Sequence, residues 1–427
     1  MDKTYYPALD ETLYSTRLPN GLQVLVVPKQ GFTKKLAYFV TDYGSVHTEY
    51  VLDGRRSSAP AGVAHYLEHK LFDMPGRDVS EEFAAMGASV NAFTSYDLTA
   101  YYFSCTEHFE DCLRLLLEFV STPYFTKESV EKEQGIIDQE IGMNADDPNV
   151  RVFENLMEAM YASHPIRQPI LGTEETIRAI TPQVLERVHR AFYHPENMIL
   201  CVVGDVDAEA VAAIARKQLG DEAGPAGEKC PLPEEDMVCP RDYSRADMDV
   251  AMPSFSIGFK CEPLGKGAES IRQEIIADLA AEALFGESSA LYLQMYEEGL
   301  IDSSFGGGFE TIDGCSLLNC GGDSDRPENV RRAILEKAGQ LAQEGIEEAW
   351  FLRMKRSSLG RRIRDLDSFA STCFRLCACA LTDYDYFRFP ELYDSITSQE
   401  LCAFIARTVQ PERCSLSVIY PIKEETL

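Results

Sequence analysis

Apolar residues recur along this chain in two rhythms. Short runs of strand length, "LQVLVVP" (22–28), "KLAYFVTDYG" (35–44), "TAYYFSC" (99–105), "MILCVVG" (198–204) and "SFSIGFKC" (254–261), predict β-strands. Longer segments repeat apolar positions near the helical period: "HFEDCLRLLLEFVSTP" (108–123), "RQEIIADLAAEALF" (272–285) and "PENVRRAILEKAGQLAQEG" (327–345). The strands are joined partly by hairpins and partly by helices. That mixture predicts an α+β fold in which mostly antiparallel sheets carry helices on one face.

The pattern occurs twice. "ITPQVLERVHRAFYHPENMILCVVGD" (180–205) and "ITSQELCAFIARTVQPERCSLSVIYP" (396–421) share Ile-Thr, a helix, Pro-Glu and a strand. Ile180 and Ile396, Thr181 and Thr397, Pro195 and Pro411, and Glu196 and Glu412 are each 216 residues apart. Thr181 and Thr397 have the chemistry of helix N-caps, and the two prolines stop the helix and force an extended exit. A constant offset predicts two homologous domains. Between them "GDEAGPAGEKCPLPEEDM" (220–237) is rich in Gly, Pro and Glu and reads as a linker. The expected division is 1–220, a linker at 221–240, and 241–427.

Composition narrows the partners. Forty basic residues against 69 acidic ones give a net charge of −29, which argues against nucleic acid or an anionic membrane as the main partner. The opening "MDKTYYPALDETLYS" has no basic start followed by an apolar run, and no apolar stretch approaches the ~20 residues of a membrane span. Thirteen scattered cysteines form no disulfide framework, so the expected compartment is the cytoplasm. Cys373, Cys377 and Cys379 fall in a predicted helix with no histidine nearby and read as packed thiols.

Histidine is scarce, seven in 427 residues, yet "GVAHYLEHKLFDMP" (62–75) holds two of them. On a helix bounded by Gly62 and Pro75, His65, Glu68 and His69 stand at i, i+3 and i+4 and share one face. Two imidazoles one turn apart can bind one metal ion, and zinc prefers such ligands. A glutamate between them can stand beside the metal and take a proton from water. The bland alternative is a surface helix with two solvated histidines; Leu67, Leu71 and Phe72 on the same helix weaken it. A third ligand is expected from "TKESVEKEQGIIDQEIGMNADDP" (126–148), where Glu133 and Glu140 lie two turns apart and Ile136 and Ile137 are expected to bury the helix beside them. A solvated acidic face is the competing reading for that helix.

Together these residues resemble the pitrilysin- and insulysin-type metallopeptidases. "AHYLEHKLF" is similar to their inverted zinc motif, "EKEQGIIDQE" to its downstream partner, and "GASVNAFTSYDLTAYYF" (87–103) to their active-site edge strand. "RLPNGLQVLVVP" and "YHPENMILCVVGDVD" extend the resemblance over essentially the whole chain. It is nearest the half-length, processing-peptidase-like members that work as dimers. Over roughly 1–145 it also resembles a bacterial subunit associated with elongation factor P modification.

The resemblance implies one zinc per chain, held by His65, His69 and Glu140. It implies Glu68 as general base, Glu133 as a supporting acid, and Asn91 and Ala92 on the strand that receives a peptide substrate. It also implies two α+β domains per chain, a half-clamshell closing with a second chain around a chamber. The implied activity is zinc-dependent endopeptidase action on peptides or unfolded segments; the alternative is a processing or assembly subunit dedicated to one peptide or modification pathway. The second half cannot repeat the site, because the 216-residue offset sets Ala281, Leu284 and Phe285 opposite His65, Glu68 and His69. The family's substrate-holding arginine and tyrosine fall, by alignment on Glu298-Gly299-Leu300, at Met295 and Asp302. A heterodimer with a homologous subunit lacking the zinc motif is therefore the expected assembly, with a homodimer as the alternative.

Overall fold

The computed structural model describes residues 1–222, 224 and 227–422. Their contacts form two compact units. The first gathers Met1–Ile141, Pro169–Pro231 and Arg362–Arg388; the second gathers Gly142–Gln168, Leu232–Arg361 and the chain from Phe389.

The first unit is built on a seven-stranded sheet. Its strands are Asp2–Tyr6 (β1), Glu11–Arg17 (β2), Gln23–Pro28 (β3), Lys35–Thr41 (β4), Ser89–Thr94 (β5), Thr99–Cys105 (β6) and Met198–Gly204 (β7), in the order β1-β2-β3-β7-β4-β6-β5. All pairs are antiparallel except β3 with β7. Alternation along the strands aims Val24, Val26, Phe39, Tyr101, Phe103, Leu200 and Val202 into one buried core. The helices Phe109–Ser121, Pro182–Phe192 and Ala208–Leu219 supply its other side.

The second unit repeats this plan on five strands: Tyr243–Met248 (β8), Ser254–Cys261 (β9), Gly306–Ile312 (β10), Cys315–Asp323 (β11) and Cys414–Pro421 (β12), in the order β8-β12-β9-β11-β10. Here too the strand after the repeated Pro-Glu pairs parallel to one neighbour and antiparallel to the other. The duplicated caps form as expected. The Thr181 hydroxyl accepts from the Val184 N–H, and Thr397 makes a reciprocal capping box with Glu400.

The packing draws the boundary differently from the contiguous halves expected at 221–240. Helix Pro148–Met160, from the first half of the sequence, packs on β8, β9 and β12; helix Phe369–Leu381, from the second half, packs on β4 and β7. A sheet whose two faces are both apolar needs cover on both. In each unit one face is covered by local helices and the other by a helix from the opposite half of the chain. Tyr38 and Cys201 occupy the second face of the first sheet, with the Cys373 Sγ 3.8 Å from the Cys201 carbonyl oxygen. Cys373, Cys377 and Cys379 are buried free thiols, as their helical setting predicted. The expected linker is not free of structure either. Glu228–Lys229 pairs with Glu49–Leu52 in the first unit, and Glu235 is bound within the second.

Candidate metal centre

The histidines sit on helix α1, Val63–Leu71. Its start is fixed by Gly62, whose φ of 91° favours glycine and whose Cβ, were there one, would lie 2.4 Å from the Leu171 carbonyl oxygen. Val63, Ala64, Tyr66, Leu67 and Leu71 bury one side of α1 in the core. The carboxylates come from α2, Lys127–Ala145. Val130 and Ile137 are its buried residues, and Glu133 and Glu140 follow the same stripe at helical spacing. Ile136 does not bury the helix as the sequence suggested: it is 45% exposed, since neighbouring residues on a helix point about 100° apart. One hydrogen bond ties α2 to α1 and another ties it to the helix Glu174–Arg178. The buried Tyr66 hydroxyl donates to the Val130 carbonyl, and the Gln134 Nε2 donates to the Ile177 carbonyl at 2.8 Å.

The result is a convergence of donors. His65 Nε2 lies 3.7 Å from Glu140 Oε1, and His69 Nε2 lies 3.6 Å from Glu140 Oε2. One atom from each of His65, His69 and Glu140 falls within 4.8 Å of the others, the one such group among the described residues. A tetrahedral zinc bonded at about 2.0–2.2 Å separates its donors by roughly 3.3–3.6 Å, close to the two histidine–Glu140 distances. His69 Nδ1 is 2.9 Å from Glu133 Oε1. That contact fixes the proton on Nδ1 and leaves the Nε2 lone pair facing Glu140.

The electrostatics separate the two histidines. Burial, with the neighbouring His69 adding to it, pushes His65 down to about 3, so it stays neutral and able to ligate. Burial acts to lower His69 as well, but its hydrogen bond to Glu133 and the charges of Glu133, Glu140 and Glu68 outweigh it and raise it. Three carboxylates around two imidazoles are short of positive charge, which a divalent ion supplies.

Glu68 stands on the same face of α1. The Thr94 hydroxyl, at the end of β5, donates to its Oε2 at 2.6 Å. Burial raises the Glu68 pKa, and that bond together with His69 opposes the rise. β5 is the edge of the first sheet among the described strands. Asn91 and Ala92 face Tyr102 and Tyr101 across it, and the Ala92 N–H is held by the Asn91 side-chain oxygen at 2.8 Å rather than by a strand. The structure thus brings Glu68, Glu133, His65, His69 and Glu140 together and sets Asn91 and Ala92 on the neighbouring edge. Thr94 escaped the sequence reading, although the strand's alternation places it on the same side as Val90 and Ala92.

Fold and site find matching proteins. The profile of insulinase (peptidase family M16) matches residues 51–174, and that of the peptidase M16 inactive domain matches 179–358. The uncharacterized zinc protease YmfH of Bacillus subtilis (strain 168) is 37% identical over 97% of this chain and 98% of its own. The crystal structure of a putative M16-like peptidase from Alicyclobacillus acidocaldarius superposes with a TM-score of 0.93 at 33% identity, covering 97% of this chain and 99% of that one. A protease from Helicobacter pylori shares the fold, with a TM-score of 0.81 at 19% identity over 96% and 99% of the two chains. The chain belongs to the M16 peptidase family. No described helix is long and apolar enough to cross a membrane.

Proposed function

We propose that this protein is a zinc-dependent endopeptidase acting on peptides or unfolded segments. The observation that carries this reading is the meeting of His65 Nε2, His69 Nε2 and the Glu140 carboxylate beside Glu68. His65, His69 and Glu140 would hold the ion, and Glu133 would orient His69. A zinc ion there supplies a Lewis acid that polarises a scissile carbonyl and acidifies water. Glu68 accepts the proton released by the attacking water and returns it to the leaving amine. An extended peptide adds to the open edge of β5 by backbone hydrogen bonds, displacing the Asn91 side chain from the Ala92 N–H. The test is metal analysis joined to cleavage of a mixed library of unstructured peptides. One zinc per chain and chelator-sensitive cleavage are expected. A fully zinc-loaded chain that cleaves nothing, alone or with a co-encoded paralogue, overturns the reading in favour of an assembly subunit.

The reading includes a partner subunit with an intact substrate-holding arginine and tyrosine. Met295, at the first of those positions, is buried in its own unit. Asp302, at the second, accepts from the Ser304 N–H and hydroxyl and so caps its own turn. Neither side chain is available to donate to a peptide carbonyl.

A further inference from the structure

We propose that Thr94 is a positioning residue for Glu68, so that the edge strand which receives the peptide also aims the base; this rests on the peptidase reading above. The hydroxyl donates to Glu68 Oε2 at 2.6 Å, a short charge-assisted bond. It commits one carboxylate oxygen and leaves Oε1 to meet water. A half-buried carboxylate on a flexible side chain has several rotamers, and one fixed donor selects among them.

Thr94 is itself held rigidly. Its backbone pairs with Thr99 as the last rung between β5 and β6. The turn that follows is closed by the Ser95 N–H to the Leu98 carbonyl at 2.8 Å and by the Ser95 hydroxyl to Asp97 Oδ1 at 2.7 Å. A second loop braces it from outside. The Ser45 N–H donates to the Ser95 carbonyl and the Val46 N–H to the Tyr96 carbonyl, at 3.1 and 2.9 Å. Gly44 makes that approach possible, since a Cβ there would lie 2.5 Å from the Asp97 nitrogen. His47 Nδ1 accepts the Gly44 N–H at 3.1 Å and fixes the brace in turn. Such support is what a donor needs if it is to set an angle rather than merely satisfy a buried oxygen.

The test compares Thr94→Val, which replaces the hydroxyl by a methyl, with Thr94→Ser, which keeps it. Glu68→Gln runs in parallel. All are assayed as zinc-loaded full chains, with the partner subunit added where the chain alone is inactive. Thr94→Val is expected to keep its zinc and its KM within about threefold and to lose about 10–100-fold in kcat. Thr94→Ser is expected to stay within about threefold of the unsubstituted chain in kcat. Should Val lower the zinc content, Thr94→Ala at full zinc carries the same expectation. The proposal is overturned if the hydroxyl-free variants keep their kcat, if Ser is as impaired as Val, or if the loss appears in KM instead. Full turnover by Glu68→Gln is a different result, because it removes the peptidase assignment of Glu68 itself.

Discussion

His69 Nδ1 and Glu133 Oε1 are 2.9 Å apart, whereas Glu140 turns its two oxygens toward the Nε2 atoms of both histidines. Two glutamates on one stripe of one helix therefore meet the histidines differently. On the proposed reading Glu140 is a direct anionic ligand, so Glu140→Gln is expected to lose most of the zinc. Glu133→Gln removes the partner that orients His69; it should keep zinc at saturating metal and lose about 10–100-fold in affinity or activity. Equal zinc content after dialysis in the two variants rejects this division.

Glu68→Gln should keep one zinc per chain and lose hydrolysis. The amide preserves shape and can still pair with the Thr94 hydroxyl, but it cannot accept a proton from water. The expected loss in kcat is at least the ~10²–10⁴-fold typical of a general base. Loss of the metal together with the activity would instead make Glu68 a contributor to the ion's site.

The clustering of these side chains was legible in the sequence because helices convert spacing into geometry. His65, Glu68 and His69, then Glu133 and Glu140, need only the 3.6-residue period to be placed on faces. Thr94 needed more, since its partner lies 26 residues back on another element and their meeting depends on how α1 packs across β5 and β6. The duplication was legible from the constant 216-residue offset. The exchanged helices were not. The apolar faces of Pro148–Met160 and Phe369–Leu381 state that each must be buried, and nothing local names the sheet. Ile136 and Ile137 show the same limit at one residue: both are apolar, and packing buries only one.

Glu235 anchors the stretch read from sequence as a linker. With its side chain 8% exposed and that of Lys260 2%, the two form an ion pair at 3.3 Å. Glu235 also accepts from the N–H groups of Ala162, Ser163 and His164 and from the Ser163 hydroxyl. Burial pushes its pKa up, but these donors prevail and hold it at about 2, below the ordinary 4.5. A depressed carboxylate stabilises the fold fully above its unfolded pKa, and that stabilisation is lost as pH falls through the folded one. Lys260→Met, which leaves Glu235 without its cation, is expected to cost about 3–5 kcal/mol at neutral pH. Glu235→Gln should also destabilise, with its deficit constant above about pH 5 and shrinking from pH 4.5 toward 2. Denaturant midpoints across that range provide the measurement, and a deficit that grows in acid contradicts the assignment.

The last expectation concerns the partner. The helix Ala281, Leu284 and Phe285 occupy carries no ligand at the positions that repeat His65, Glu68 and His69; all three are buried apolar residues. The second half therefore does not repeat the His65, Glu68 and His69 set. On the proposed reading the second half would hold substrate, and here the two positions aligned with the holding pair are a core methionine, 1% exposed, and an aspartate bound to its own turn. In a symmetric homodimer each metal centre would face such a surface. In the proposed heterodimer, pairing with a homologue that keeps the arginine and tyrosine would restore one complete site, and that homologue's own zinc motif would then be free to decay. Mixing this chain with a co-encoded paralogue should raise kcat/KM on unstructured peptides by about 10²-fold or more, the scale set by positioning a substrate correctly. Substituting the paralogue's arginine by alanine should abolish the gain while leaving the complex and its zinc intact. Converting Asp302 to Tyr alone should not replace the partner, because the buried Met295 position would still lack a donor. Efficient cleavage by the purified, zinc-loaded chain, unchanged when the paralogue is added, would sink the heterodimer and leave other groups of this chain to hold the peptide.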